Sequence, residues 1–289
     1  MVERRATLGM LGMLAHAVMI LGMLIVAFPL YLAFVASTHT APEIVQAPMP
    51  LLPGSHFWGN YSAAHTGHGG HGGGAGSNAP VGRMMWVSLV TALGIAFGKI
   101  AVSLLSAFAL IYFCFPFRNV FFWAIFVTLM LPVGVRILPT YKVVSDLGML
   151  NSYAGLTIPL IAPATATFLF RQFFLTVPEE LVEAARIDGA GPMRFFWDIL
   201  LPLSKTSITA LFVSQFIYGW NQYLWPLLAT TSEDMCPVVV GIKRMIAGGD
   251  SGNERNIVMA TAIRAMVPPA LVVIFMPRWF VKGLVDTEK

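Results

Sequence analysis

Residues 176–205 read TVPEELVEAARIDGAGPMRFFWDILLPLSK, a segment much more polar than the sequence on either side of it. Its helix signals are dense. Thr176 can cap a helix, Pro178 suits a first turn, and Glu179 and Glu180 favour the positive helix end. Gly189 and Gly191 stop that helix, Pro192 opens a second, and Pro202 ends it. The segment is therefore expected to be a helix–turn–helix. On its first helix Leu181, Ala184 and Ala185 fall near one face, while Glu183 and Arg186 are charged. Small alanines let another backbone approach closely, so this helix suits a docking knob for a soluble partner. Phe195, Phe196 and Trp197 suit a second helix lying at a membrane surface, and the two roles can share the segment.

Outward from that segment the chain is apolar. Of its 289 residues 57% are hydrophobic and only 11% are charged, against roughly 25% charged in an ordinary soluble protein. Mean hydropathy is +0.74. So few charges cannot cover a soluble protein of this length, and the apolar residues come in long runs. Disorder, a collagen-like fibre and a disulfide scaffold are excluded on composition. A net charge of +4 reads as basic flanks of membrane helices rather than a nucleic-acid surface. Cys114 and Cys236 fall on opposite membrane faces in the topology below, so no bridge is expected between them.

Crossing the bilayer core takes about 20 apolar residues in a helix. Six segments qualify: 8–36, one within 84–113, 120–138, about 154–174, 206–228 and 257–281. The first follows Arg4 and Arg5 but is too long for a signal-peptide core and precedes no A-x-A site, so it reads as a retained anchor. Ten Lys/Arg flank inner segments if the N-terminus is inside, against seven on the outer side, which favours both termini inside. The expected fold is an all-α integral membrane protein, one six-span permease domain over 1–289. Pro29, Pro132, Pro159, Pro163, Pro226, Pro268 and Pro269 fall within spans. They either bend helices around a cavity or reflect the general tolerance of membrane helices for proline.

The order Glu183-Ala184-Ala185, three residues, Gly189, nine residues, then Ile199-x-Leu201-Pro202 resembles the signature loop of binding-protein-dependent ABC importer permeases. The likeness extends over all six spans and is strongest to the carbohydrate, maltose-like subfamily. The stretches NSYAGLT (151–157), TATFLFRQFF (165–174), FIYGWNQYLWPLL (216–228) and GLVDTEK (283–289) resemble the second permease chain of glycerol 3-phosphate importers. The resemblance implies a type I importer permease in a bacterial inner membrane. It implies a heterodimer with a homologous permease, two ATP-binding subunits carrying ATP and Mg²⁺, and an extracytoplasmic substrate-binding protein. The cargo implied is glycerol 3-phosphate and its diesters. Glu183, Ala184 and Ala185 would then fit the ATPase groove, Gly189 would permit the turn, and Arg186 and Asp188 would make charge contacts, so 176–205 becomes a cytoplasmic coupling loop.

The residues agree on energy coupling. The chain lacks G-x-x-x-x-G-K-[ST]; Gly98-Lys99-Ile100 misses the first glycine and the hydroxyl, so no ATP site and no catalytic residue are expected. No acidic residue lies in the six spans, which speaks against a proton relay. For a dianionic cargo the candidate pathway residues are Lys99, the one charge near a span centre, and Arg136 near the outer end of span three. Trp220, Asn221, Gln222 and Tyr223 could line the cavity or pair helices. His16 reads as a helix-pairing group. A neutral sugar or oligosaccharide remains the alternative cargo. An ATP-independent channel or carrier, or a structural membrane subunit, would be another class. The His/Gly-rich loop 65–77, HTGHGGHGGGAGS, departs from the family pattern. His65, His68 and His71 could hold a metal, but glycine preforms no geometry, so a flexible periplasmic linker without metal is expected.

Overall fold

The computed structural model describes residues 2–66, 80–162, 164–247 and 255–276. It is helical, with no β-strand among the described residues. Cα packing divides it into two compact units, 1–81 with 242–265, and 82–241 with 266–289.

The first unit is led by α1 (Val2–Ser37). From residue 13 to 31 every side of it is exposed, although it is apolar all round, a surface that belongs in hydrocarbon or against another membrane helix. Pro29 sits inside α1 without ending it. His16 bonds the Gly12 carbonyl one turn back at 2.7 Å, within its own helix. Two short helices follow, α2 (Ala41–Val45) and α3 (Phe57–Thr66). Asn60 of α3 ties them together. Its amide donates to the Ser37 and His39 carbonyls, both at 2.8 Å, and its oxygen accepts from Asn256 at 2.8 Å. His65 lies in the last turn of α3. His68, His71 and residues 67–79 of the glycine-rich loop lie outside the described residues.

The second unit is built on α4 (Val81–Tyr112). After it come α5 (Arg118–Val127), a 3₁₀ turn (Thr128–Met130), α6 (Val133–Asp146), α7 (Tyr153–Ile161) and α8 (Ala164–Phe174). Next are α9 (Glu179–Ile187), α10 (Pro192–Phe195), a π-helical turn (Phe196–Leu200) and α11 (Leu201–Leu203). Then follow α12 (Lys205–Trp220), α13 (Leu224–Ala229) and α14 (Val238–Ala247). The last helix, α15 (Arg255–Phe275), belongs to the first unit up to Ala265 and to the second from Met266, and carries Pro268 and Pro269 in its interior.

Two apolar layers hold this unit. In one, Ile100, Leu104 and Phe108 of α4 meet Phe170 and Phe174 of α8 with Phe195, Phe196, Leu200 and Leu211. In the other, Val87 of α4 meets Val144, Leu156, Trp225 and Ala229. The Trp225 indole donates to the buried Gly155 carbonyl at 3.0 Å, so the polar edge of the ring is satisfied where it is buried. Gly219 brings α12 onto α4: a Cβ there would lie 2.9 Å from the Ala92 Cα. Small residues permit such contact between membrane helices.

The spans differ from the sequence expectation in continuity. Among the described residues three helices are long and apolar enough to cross a membrane: 12–37 within α1, α4 and α15. The expected span 120–138 is cut at Leu131–Pro132 between the 3₁₀ turn and α6. Proline lacks the donor that would carry the ladder onward and disfavours helical geometry before it. The expected span 154–174 is a bent pair, α7 and α8. Span 206–228 is α12 followed by a break at Asn221–Tyr223 and then α13. The sixteen residues of α12 rise only about 24 Å, short of the ~30 Å core. The end of the expected sixth span, beyond residue 276, lies outside the described residues.

Candidate functional site

The 176–205 segment is a helix–turn–helix whose boundaries follow from local bonds. Thr176 does not cap α9. Its hydroxyl donates back to the Phe173 carbonyl at 2.7 Å and closes α8 instead, and Pro178 occupies the N-cap of α9. The far end of α9 is closed by a Schellman turn. Ala190 N–H donates to the Ala185 carbonyl at 2.8 Å and Gly189 N–H to the Arg186 carbonyl at 3.0 Å. Gly189 takes φ +71° at the centre of that turn, the left-handed region that a side chain disfavours. Gly191 does not stop the helix; it has φ −69° and caps α10.

Nor does Pro202 end the second helix. The chain widens into the π turn at Phe196–Leu200, where the Leu201 N–H reaches the Phe196 carbonyl. The widened turn makes room for the ring of Pro202. The helix ends at Ser204, and the chain then bends by 72° into α12.

Burial sorts the residues of the loop. Ala185 is 4% exposed and packs in the Phe174–Phe195 layer, so it cannot also enter a partner's groove as the sequence pattern suggests. It anchors α9 to its own unit. Ala190, the other apolar residue of the Schellman turn, packs beside the same layer. The outward face is Glu183, Ala184, Arg186, Ile187 and Asp188. Ile187 is 86% exposed, an apolar side chain on a charged helix that the sequence reading passed over. Phe195 and Phe196 are buried, and only Trp197 of the three aromatics is exposed. Arg194 pairs with Asp198 at 3.3 Å on the surface, a pair of small energetic weight.

The cation candidates lie on α4 and α6. The Lys99 ammonium stands 4.1 Å over the Tyr218 ring of α12, a cation–π contact. Arg136, on α6, is exposed. Among the described residues no ion pair reaches either one. Two like charges without a counter-ion favour an incoming anion. Trp220 is not part of this surface. It is 2% exposed and stacks on Phe216 with ring centroids 5.9 Å apart, so it belongs to the α12 core. Asn221, Gln222 and Tyr223 form the break between α12 and α13, where the Gln222 amide donates to the Tyr218 carbonyl at 3.1 Å. Tyr218 was missed from sequence because nothing along the chain links residue 218 to residue 99.

Residues 99–286 match the family described as binding-protein-dependent transport system inner membrane component. The chain belongs to that family. A Brucella melitensis protein named sn-glycerol-3-phosphate transport system permease protein UgpE is 57% identical over 289 residues, the full length of both chains. Proteins of the same name from Agrobacterium fabrum and Pectobacterium atrosepticum are 59% and 57% identical, covering 96% and 100% of each chain. Among solved structures, a bacterial ABC transporter for import of the acidic polysaccharide alginate superposes with TM-score 0.74 at 22% identity. That match covers 94% of this chain and 96% of the other, and it shows the importer-permease fold. The permease is thus a multi-pass inner-membrane protein and a subunit of a transport system.

Proposed function

We propose that this permease forms one half of the translocation pathway of an ATP-driven importer of glycerol 3-phosphate and its diesters. It spans the membrane six times with both termini inside, and the broken helices supply the crossings that the three long helices do not. A homologous permease supplies the other half. Two ATP-binding subunits carry ATP and Mg²⁺ and dock on the outward face of α9. An extracytoplasmic binding protein delivers the cargo. The observation that carries this reading is identity of 57–59% over at least 96% of the chain to permeases named for that cargo.

The mechanism uses this chain's own groups. Closure of the ATPase pair pushes on Glu183, Ala184, Arg186, Ile187, Asp188 and the Gly189 turn. Ala185 and the aromatic layer pass the push to α4 and α8, because a close-packed core transmits displacement. Lys99 and Arg136 hold the phosphate by charge, with Tyr218 keeping the Lys99 ammonium in place. Asn221, Gln222 and Tyr223, at the break after α12, offer hydrogen-bonding groups to the cargo.

The test is uptake of labelled glycerol 3-phosphate by cells expressing the four components, with and without this chain. Uptake should require both the chain and a working ATPase. No uptake from a fully assembled complex would move the cargo to a neutral sugar. Uptake that persists with the ATPase disabled would overturn the importer reading.

A further inference from the structure

One cleft holds none of the coupling-loop residues and none of the Lys99 group. It has a volume of about 120 Å³ and is walled by Leu110 and Ile111 of α4 and by Leu175 after α8. Its polar groups are Arg118 and Asn119 at the start of α5 and Arg171 near the end of α8. The Arg171 guanidinium carbon lies 4.3 Å from the centroid of the Phe122 ring, which also lines the cleft. Among the described residues no carboxylate pairs with Arg118 or Arg171. Two guanidinium forks and an amide in one small cleft match a phosphate group.

Two kinds of molecule carry such a group, a phospholipid and a free phosphate ester. The surroundings favour the first. Beside the cleft Phe117, just before α5, is exposed by 74%, and Val120 and Trp123 of α5 by 61% and 58%, an apolar surface suited to hydrocarbon. The cleft walls are themselves aliphatic, which suits a glycerol backbone and the start of an acyl chain. Basic pockets between membrane helices on the inner side are a known chemistry for anionic headgroups. We propose that Arg118, Asn119 and Arg171 form a headgroup site for an anionic phospholipid. The inner-leaflet placement rests on the proposed importer topology; the binding itself does not.

The assembled importer is stripped of lipid and titrated with phosphatidylglycerol or phosphatidylcholine, and bound lipid is read by native mass spectrometry. Phosphatidylglycerol should be preferred by roughly tenfold, on the scale expected for two arginines near a headgroup. Arg118→Gln with Arg171→Gln should erase the preference, and Arg118→Gln alone should halve it or more. The single change is at an exposed residue, so it keeps the test open if the double variant fails to assemble. Equal binding of the two lipids by the natural protein overturns the proposal, as does an unchanged preference in the variants. Millimolar glycerol 3-phosphate should leave the lipid bound; its displacement would assign the cleft to a free phosphate ester and overturn the lipid site. Failed uptake with the lipid preference intact counts against the importer reading alone.

Discussion

At the end of α9 the chain answers its own loose backbone groups, whereas at Lys99 and Arg136 no acid among the described residues pairs with either positive charge. The Schellman turn at Gly189 and the buried Ala185 hold α9 rigidly and leave its outer face free of intramolecular work. At Lys99 the chain supplies the Tyr218 ring. A site finished by its own chain presents a surface to a partner; an unfinished one awaits a ligand. Substitutions should therefore separate the two. Changes on the outer face of α9 should spare the fold and break coupling, while changes at the cations should alter what is carried.

The largest effect is expected at Gly189. A Cβ there meets nothing within 4 Å, so only φ +71° opposes a side chain. Asp tolerates that region at about 1 kcal/mol. Gly189→Asp should thus assemble with a Tm lowered by only a few degrees and yet cut transport by roughly a hundredfold, the scale of an interface hot spot. Normal transport by that variant would remove α9 as the docking element. Lys99→Ala and Arg136→Ala come next, each lowering glycerol 3-phosphate uptake by roughly ten- to a hundredfold, as expected for a lost charged contact. Lys99→Arg should retain most of the uptake. If both alanine variants carry glycerol 3-phosphate normally, the anion pathway lies elsewhere.

The comparison sharpens at two adjacent alanines. Ala185→Leu overfills a packed layer and should cost about 1–3 kcal/mol, read as a lower Tm. Ala184→Leu adds the same atoms to an exposed position, so Tm should hold while co-purification of the ATPase falls. Equal Tm losses in both would mean that α9 is buried on both faces.

These contrasts also mark what the sequence could reveal. The helix pair of 176–205 was legible because its punctuation is local: acidic first turn, Gly189, then Pro192. Its burial was not, since Ala184 and Ala185 are identical in chemistry and only tertiary packing tells them apart. The π turn that lets Pro202 sit inside a helix has no composition of its own. Membrane spans were legible as apolar runs, but hydropathy sums over a run and is blind to breaks such as Leu131–Pro132 and Asn221–Tyr223. For Trp220 the sequence left two roles open, lining a cavity or pairing helices, and only tertiary packing shows that its ring is buried. Lys99 stood out as a lone charge, whereas its partner Tyr218 lies 119 residues away and only the fold brings them together.

The smallest expected effect lies in the first unit, where a polar clasp follows α1 and offers a third way for charge to be used. His39 bonds the Leu52 carbonyl at 2.9 Å and the Glu43 carboxylate at 2.9 Å. The Leu52 carbonyl, opposed by partial loss of hydration and aided by Glu43, holds the imidazole above its ordinary 6.5. The Thr40 backbone N–H, and after it His39, holds Glu43 below its ordinary 4.5. A raised imidazole contributes stability in full below 6.5 that is lost as pH rises through the folded value. A depressed carboxylate contributes in full above 4.5 and loses it as pH falls through its own lowered value. The clasp is therefore tightest between about 4.5 and 6.5 and loosens on the alkaline side. Hydrogen exchange of residues 38–56, corrected for intrinsic pH dependence, should show protection falling several-fold from pH 6 to 8.5, a window set by the imidazole. His39→Gln should flatten that fall. An identical slope in the variant would mean that the clasp is held by Thr38 and Asn60 alone, with charge playing no part at this end of the first helix.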